Sequence, residues 1–216
     1  MTVTKEYFKI ENEFGDILSG DIYYPVICES KVPLIIISHG FKGFKDWGFL
    51  PYISQRFAEK NSIVICFNFS HNGNPNRELR ITDIKKFSEN TISKEVQDLE
   101  LIISLFTNDL VEKFSKVKKF WNGSIFLLGH SLGGGISLLV ASKNPIVSKV
   151  ALWASLAKFD RYTERQKREW RKQGYIEFTN QKTNQLLRMN IDFLMDIEKS
   201  KYDLGLIISQ MLIPVL

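Results

Sequence analysis

Ser131 is the residue of this sequence best placed to do chemistry, and that chemistry is nucleophilic attack on a carbonyl. It lies in Ser124-Ile-Phe-Leu-Leu-Gly-His-Ser-Leu-Gly-Gly-Gly135, which contains G-x-S-x-G as Gly129-His130-Ser131-Leu132-Gly133. A hydrophobic run precedes the pattern and a helix-like run follows it, a context that makes a short pattern a nucleophile elbow. A strand turning sharply into a helix strains the backbone at the serine. Side chains two positions either side would clash, so glycine is expected at both. The hydroxyl then projects at a helix N-terminus, where backbone N–H groups and the helix dipole favour a developing oxyanion. The competing reading is a serine N-cap in a glycine-rich nucleotide loop. The spacing opposes it, because neither G-x-G-x-x-G nor G-K-[ST] is present.

A second segment, Ser38-His-Gly-Phe-Lys-Gly43, directly follows a buried strand. His39 is expected to hold this loop by hydrogen bonding rather than to react, and His130 is expected to point away from the nucleophile. Gly40 belongs to the same loop.

The elements that must position these residues alternate between two periodicities. Lys5 to Glu11 and Ile17 to Tyr24 alternate polar and apolar residues around the turn Phe14-Gly15-Asp16, which predicts an antiparallel hairpin. Val32 to Ser38, Ile63 to Phe67, Ser124 to Leu128 and Val147 to Trp153 are continuous apolar runs. Such runs indicate strands covered on both faces, as in a parallel sheet. Between them, Trp47 to Lys60, Ser93 to Leu105 and Leu132 to Ser142 read as amphipathic or buried helices. Together they predict an α/β fold, a mostly parallel doubly wound sheet with an N-terminal antiparallel hairpin.

After Trp153 the pattern departs from the sheet. Asp160 to Gln173 is charged and closes at Gly174, a helix C-cap signal. A polar stretch runs to Leu187, and a further helical segment spans Asn190 to Tyr202. Arg161, Arg165, Lys167, Arg168, Arg171 and Lys172 form a basic stretch with Tyr162 and Trp170 interleaved. It reads as a solvated helix face, with an anionic or membrane-surface contact as the sharper alternative. Leu204 to Leu216 is expected to be an orphaned core strand, its end Leu212-Ile-Pro-Val-Leu216 opening a further strand.

Composition narrows the classes. The 216 residues are 44% hydrophobic and 25% charged, which suits one globular domain, with formal net charge +5. No nucleic-acid-binding module accompanies the positive charge, so no nucleic-acid partner is expected. The two cysteines, Cys28 and Cys66, have no CxxC spacing, so neither a disulfide framework nor a metal site is expected. No stretch reaches the ~20 apolar residues of a membrane span. The N-terminus has no apolar signal core, so a cytoplasmic location is expected.

Four segments carry a resemblance to a known family: Ser38-His-Gly-Phe-Lys-Gly-Phe-Lys-Asp-Trp-Gly48, Asn68-Phe-Ser-His-Asn-Gly73, Phe87-Ser-Glu-Asn-Thr91 and Leu128-Gly-His-Ser-Leu-Gly-Gly134. Through them the sequence resembles the α/β-hydrolase superfamily, within its serine aminopeptidase-like, dienelactone hydrolase-like and acyl-peptidase-like branch. The resemblance covers about residues 5 to 216. It implies an ester, thioester or small-amide substrate and no cofactor. It also implies an oxyanion hole from the backbone N–H groups of Phe41 and Leu132, and a helical lid insertion over about 155–210 of a single domain.

In that family the triad runs in the order serine, acid, histidine. Here His39, His71 and His130 all precede Ser131. The resemblance therefore implies a C-terminally truncated fold, lacking its last strands and terminal helix along with the acid and base. His71 would be the substitute base and Asp160 the substitute acid. An apolar strand edge near Ile213 to Leu216 would invite self-association or a complementing chain. A catalytically inactive binding module and half of a split enzyme are the alternatives.

Overall fold

The runs Val32 to Ser38, Ile63 to Phe67 and Ser124 to Leu128 form the middle of one sheet, and Val147 to Trp153 ends it. The computed structural model describes residues 2–75, 78, 80–108, 112–181, 183–200 and 202–216. In chain order its elements begin with strands β1 (Val3–Glu11), β2 (Ile17–Pro25) and β3 (Val32–Ser38), helix α1 (Leu50–Glu59) and strand β4 (Ile63–Asn68). Helices α2 (Ile84–Ser88), α3 (Ile92–Thr107) and α4 (Glu112–Lys118) follow, then β5 (Trp121–His130), α5 (Leu132–Lys143) and β6 (Val147–Trp153). The remainder is α6 (Glu164–Gln173), β7 (Tyr175–Asn180), β8 (Gln185–Asn190), α7 (Ile191–Ser200) and α8 (Leu204–Gln210).

The main sheet has the order β1-β2-β4-β3-β5-β6. β1 pairs antiparallel with β2, and β2 antiparallel with β4, whereas β4, β3, β5 and β6 run parallel. The expected hairpin is present, and its turn is set by Asn12, whose Oδ1 accepts the N–H groups of Phe14 and Asp16 at 2.9 Å each.

Residue alternation along β3 shows why both faces must be apolar. Leu34 and Ile36 enter a large core with α3 and α5, while Ile35 and Ile37 enter a smaller one under α1. Each fully buried side chain of this size contributes roughly 1.5–3 kcal/mol of hydrophobic stabilisation. Cys66 is buried in the smaller core, and burial pushes its thiol up to about 12.

Three expectations are corrected. The helix expected from Trp47 begins at Leu50, because Trp47 and Phe49 belong to the preceding turn. The lid is not purely helical: in the polar stretch before and around Leu187, β7 and β8 form a second, two-stranded sheet, with Leu187 and Met189 turned into the core. The proposed orphan strand over Leu204 to Leu216 is mostly helix. Asp203 caps α8 by accepting the Leu206 N–H at 2.9 Å, and a satisfied helix N-terminus outweighs the apolar run that suggested a strand. Only the last residues pair as expected of a strand. The Val150 N–H donates to Pro214 O at 3.0 Å, and the Leu216 N–H donates to Val150 O at 2.9 Å, parallel to β6.

The charged stretch forms α6 as expected, with a Thr163–Gln166 capping box and Gly174 in the left-handed conformation. Three of its basic residues are paired: Arg165 with Glu169, Lys167 with Asp160, and Arg171 with Glu198. Trp170 is buried and packs edge-on against Tyr162. Among the described residues no helix is long and apolar enough to cross a membrane.

Candidate active site

Ser131 is the single residue between β5 and α5. Its backbone angles are φ 53° and ψ −115°, a conformation that costs a non-glycine residue about 1–3 kcal/mol and persists only where the surroundings impose it. The surroundings do so from β6. The Ser131 N–H donates to Trp153 O at 2.9 Å, and Ser131 O accepts from Gly134 at 3.0 Å and from Leu156 at 3.3 Å.

The flanking glycines are needed because backbone passes where a side chain would be. A Cβ on Gly129 would stand 2.3 Å from Gly133 O, and one on Gly133 would stand 2.4 Å from Ser38 O. The Leu132 N–H is the first amide of α5 and has no acceptor within the helix.

The loop that leaves β3 lies against this turn. A Cβ on Gly40 would be 3.1 Å from the Ser131 Cβ. His39 holds the loop from beneath: its ring is buried, Nδ1 donates to Gly40 O at 2.9 Å, and Nε2 accepts the Phe69 N–H at 3.4 Å. Because Gly40 O can only accept, Nδ1 carries the proton. Burial pushes the ring down to about 4, so it is neutral near pH 7.

A second anchor was not legible in the sequence. Lys45 is fully buried, with Nζ 2.6 Å from Asp21 Oδ2 and 2.7 Å from Asp46 Oδ2. Its N–H donates to Asn68 Oδ1 at 2.7 Å, tying the loop to β2 and β4. No local pattern marks it, since Asp21 and Lys45 are 24 residues apart.

Ser131 opens into a cavity of about 230 Å³. The elbow contributes His130 and Ser131 to its lining, and the loop contributes His39 through Gly43. Trp47 and Leu50 line another side, and Asn180 and Gln181 reach in from the end of β7.

The structure thus brings together Ser131, Leu132, Gly129, Gly133, His39, Gly40, Phe41 and His130. It keeps His71 and Asp160 apart from them. His71 Nδ1 is 2.8 Å from Ser70 Oγ, and its Nε2 is 3.1 Å from Lys94 Nζ and 3.8 Å from an Asp16 oxygen. Burial, with the nearby Lys94 charge, pushes it down to about 4. Neither His71 nor Asp160 lines the Ser131 cavity. Asp160 is paired with Lys167 at 2.5 Å. The His130 ring packs edge-on against Phe49, with centroids 5.5 Å apart. Among the described residues, Ser131 Oγ has no histidine hydrogen-bonded to it.

Two buried carboxyl groups on α3 were missed in the sequence, where they read as ordinary helix polar positions. Burial raises Glu95 to about 8 and Asp98 to about 7. Asn90 donates to Glu95 at 2.7 Å, and Asp98 accepts the Ser70 N–H at 2.7 Å, holding the segment that follows β4. Among the described residues no group of three or more His, Cys, Asp or Glu could hold a metal ion.

No protein-family model matches the sequence, and no curated protein matches it. Solved structures match its fold. Est1E from Butyrivibrio proteoclasticus superposes with a TM-score of 0.65 at 15% identity, over 97% of this chain and 75% of that one. The alpha/beta hydrolase GrgF from Penicillium sp. sh18 superposes with a TM-score of 0.64 at 17% identity, over 93% of this chain and 74% of that one. A hypothetical protein from Pseudomonas aeruginosa gives a TM-score of 0.60 at 18% identity, over 79% of this chain and 51% of that one. The chain therefore spans between half and three quarters of the length of these structures.

Proposed function

We propose that this chain, which has the α/β-hydrolase fold, carries the nucleophile and oxyanion hole of a serine hydrolase acting on a small ester, thioester or amide. The observation that carries the reading is the strained Ser131 turn, φ 53°, held between two obligatory glycines at the mouth of a cavity. A fold has little use for a strained serine at that position unless the hydroxyl is wanted there.

In this reading Ser131 Oγ attacks the substrate carbonyl carbon and gives its proton to a base. The carbonyl π pair moves onto oxygen, where the N–H groups of Phe41 and Leu132 receive the charge. Collapse of that intermediate expels the alcohol, thiol or amine, which takes the proton from the base. Water then releases the acid from Ser131. His39, Gly40, Gly129 and Gly133 hold the two halves of the hole at their distance. Residues 155–210 act as the lid of a single domain, with the β7–β8 hairpin reaching over the serine.

None of the three histidines is placed to be the base, so we assign the base and its acid to sequence or a partner chain outside residues 1–216. A second reading, a binding module without catalysis, is favoured by the same observation that Ser131 lacks a histidine partner.

A fluorophosphonate probe distinguishes the two. Intact-mass analysis is expected to show one adduct on the folded protein once the segment or chain that carries the base is supplied, and none in Ser131→Ala. A folded sample so completed that takes no label overturns the nucleophile assigned to Ser131.

A further inference from the structure

The Ser131 cavity has a one-sided charge. Among its described lining residues there is no aspartate or glutamate, and Lys42 is the one lysine or arginine. Lys42 follows Phe41 in the loop that abuts Ser131. Its Nζ lies 5.8 Å from the Phe41 ring centre and 5.6 Å from the Phe178 ring centre, and those rings are themselves 5.1 Å apart. One ring comes from the loop after β3 and the other from β7, so the ammonium sits where that loop meets β7, beside the cavity that Phe41 and Lys42 line. Aromatic faces attract a cation without neutralising it. Among the described residues no carboxylate comes within ion-pair distance of Lys42, whereas Lys45, three residues on, is paired twice.

The backbone adds a second, independent observation. Lys42 has φ 61°, in the left-handed region where glycine is the economical choice. Loop geometry alone would be met more cheaply by glycine, as at Gly15, Gly73 and Gly174 in the same chain. The lysine bears strain that glycine would avoid, as Asn61 and Ala154 also do at φ 61° and 47°; its charge in the cavity lining is what sets it apart.

We propose that Lys42 is a specificity residue, and that the cavity takes small esters or amides whose acyl part carries a carboxylate. The ammonium would pair with that carboxylate while the apolar part of the substrate lies against Phe41 and Trp47. The pairing would also set which way round the substrate enters, placing the neutral carbonyl rather than the carboxylate at Ser131. The chemistry at Ser131 rests on the reading above. The charge preference concerns binding and does not.

The test compares two ligands of nearly equal shape, N-phenylsuccinamate, which carries a carboxylate, and N-phenylbutyramide, which carries a methyl group in its place. Dissociation constants are measured by calorimetry on the Ser131→Ala protein, so that no turnover intrudes. The anionic ligand is expected to bind about tenfold tighter, equivalent to about 1.4 kcal/mol. The ratio is expected to fall towards one in Lys42→Gln and to invert in Lys42→Glu. Lys42→Gly serves as a further variant, because glycine accepts the left-handed backbone and keeps the fold. Equal binding of the two ligands, binding of neither to a folded sample, or a preference that survives removal of the lysine each overturns the proposal. Fluorophosphonate labelling reports separately on Ser131. A labelled protein without the charge preference loses only Lys42, and an unlabelled protein with it loses only the nucleophile.

Discussion

Lys45 Nζ stands 2.6 Å from Asp21 Oδ2, with both side chains essentially out of solvent. The pair joins the loop beside Ser131 to β2, in the antiparallel part of the sheet. A buried pair is costly to form, and costlier to leave half-made, because the remaining charge keeps its desolvation penalty. Lys45→Met is therefore expected to destabilise the protein by about 3–5 kcal/mol. Lys5, 3.1 Å from the same Asp21 oxygen but more exposed, recovers part of the loss. The double variant Lys45→Met, Asp21→Asn is expected to be more stable than Lys45→Met alone. Urea denaturation followed by circular dichroism measures both, and a double variant less stable than the single one would contradict the account.

The strain at Ser131 is measurable as stability. Ser131→Ala keeps a Cβ in the same disfavoured conformation, whereas Ser131→Gly removes it. The glycine variant is expected to exceed the alanine variant by about 1 kcal/mol, even though glycine normally costs about that much within regular structure. Equal stability of the two would mean that the turn is not strained.

Gly133→Ala is expected to do the opposite. Its new methyl group would sit 2.4 Å from Ser38 O and 2.5 Å from His39 O, both rigid backbone atoms of β3 and its loop. Such overpacking costs about 1–3 kcal/mol or more. The loss is expected to appear in thermal unfolding together with reduced fluorophosphonate labelling, because the shift opens the gap between Leu132 and Phe41. Wild-type labelling in a destabilised Gly133→Ala would separate the elbow from the hole.

Four buried groups set a pH dependence of stability. Glu95 and Asp98 have folded pKa values raised to about 8 and about 7, so the stability they allow is full below their unfolded values and is lost as pH rises through 7 to 8. His39 and His71 are lowered to about 4, so their penalty appears as pH falls from 6.5 towards 4. The two effects oppose each other between pH 4 and 6.5, and only the carboxyl groups act above that. Tm is therefore expected to fall between pH 6.5 and 8. Glu95→Gln, which keeps an acceptor for Asn90, is expected to flatten that fall. A Tm independent of pH over that window in the wild type would rule the assignment out.

Much of the fold was legible because it is written locally. The bounds of β3 follow from a nearly unbroken apolar run, the end of α6 from Gly174, and the elbow from the spacing of Gly129, Ser131 and Gly133. Each is decided by atoms within a few residues of chain. The β7–β8 hairpin was not legible, because most of its polar residues face solvent while Leu187 and Met189 are buried, Ile176 and Phe178 pack half-buried against the core, and Asn180 turns inward. The helix at Leu204–Gln210 was misread because an apolar run does not by itself distinguish helix from strand, and the deciding group is the Asp203 carboxylate at its start.

The sequence by itself determined that a serine must stand on a sharp strand-to-helix turn, since only glycines leave room for that turn. The tertiary structure decided what surrounds it. Ion pairing between residues 24 apart fixed the loop through Lys45 and Asp21, and packing of β7 against that loop set Lys42 between two rings. It also decided that His71 and Asp160 are engaged elsewhere, with Ser70 and Lys94 and with Lys167. Such partnerships depend on distance in space, which residue order carries only through the completed fold.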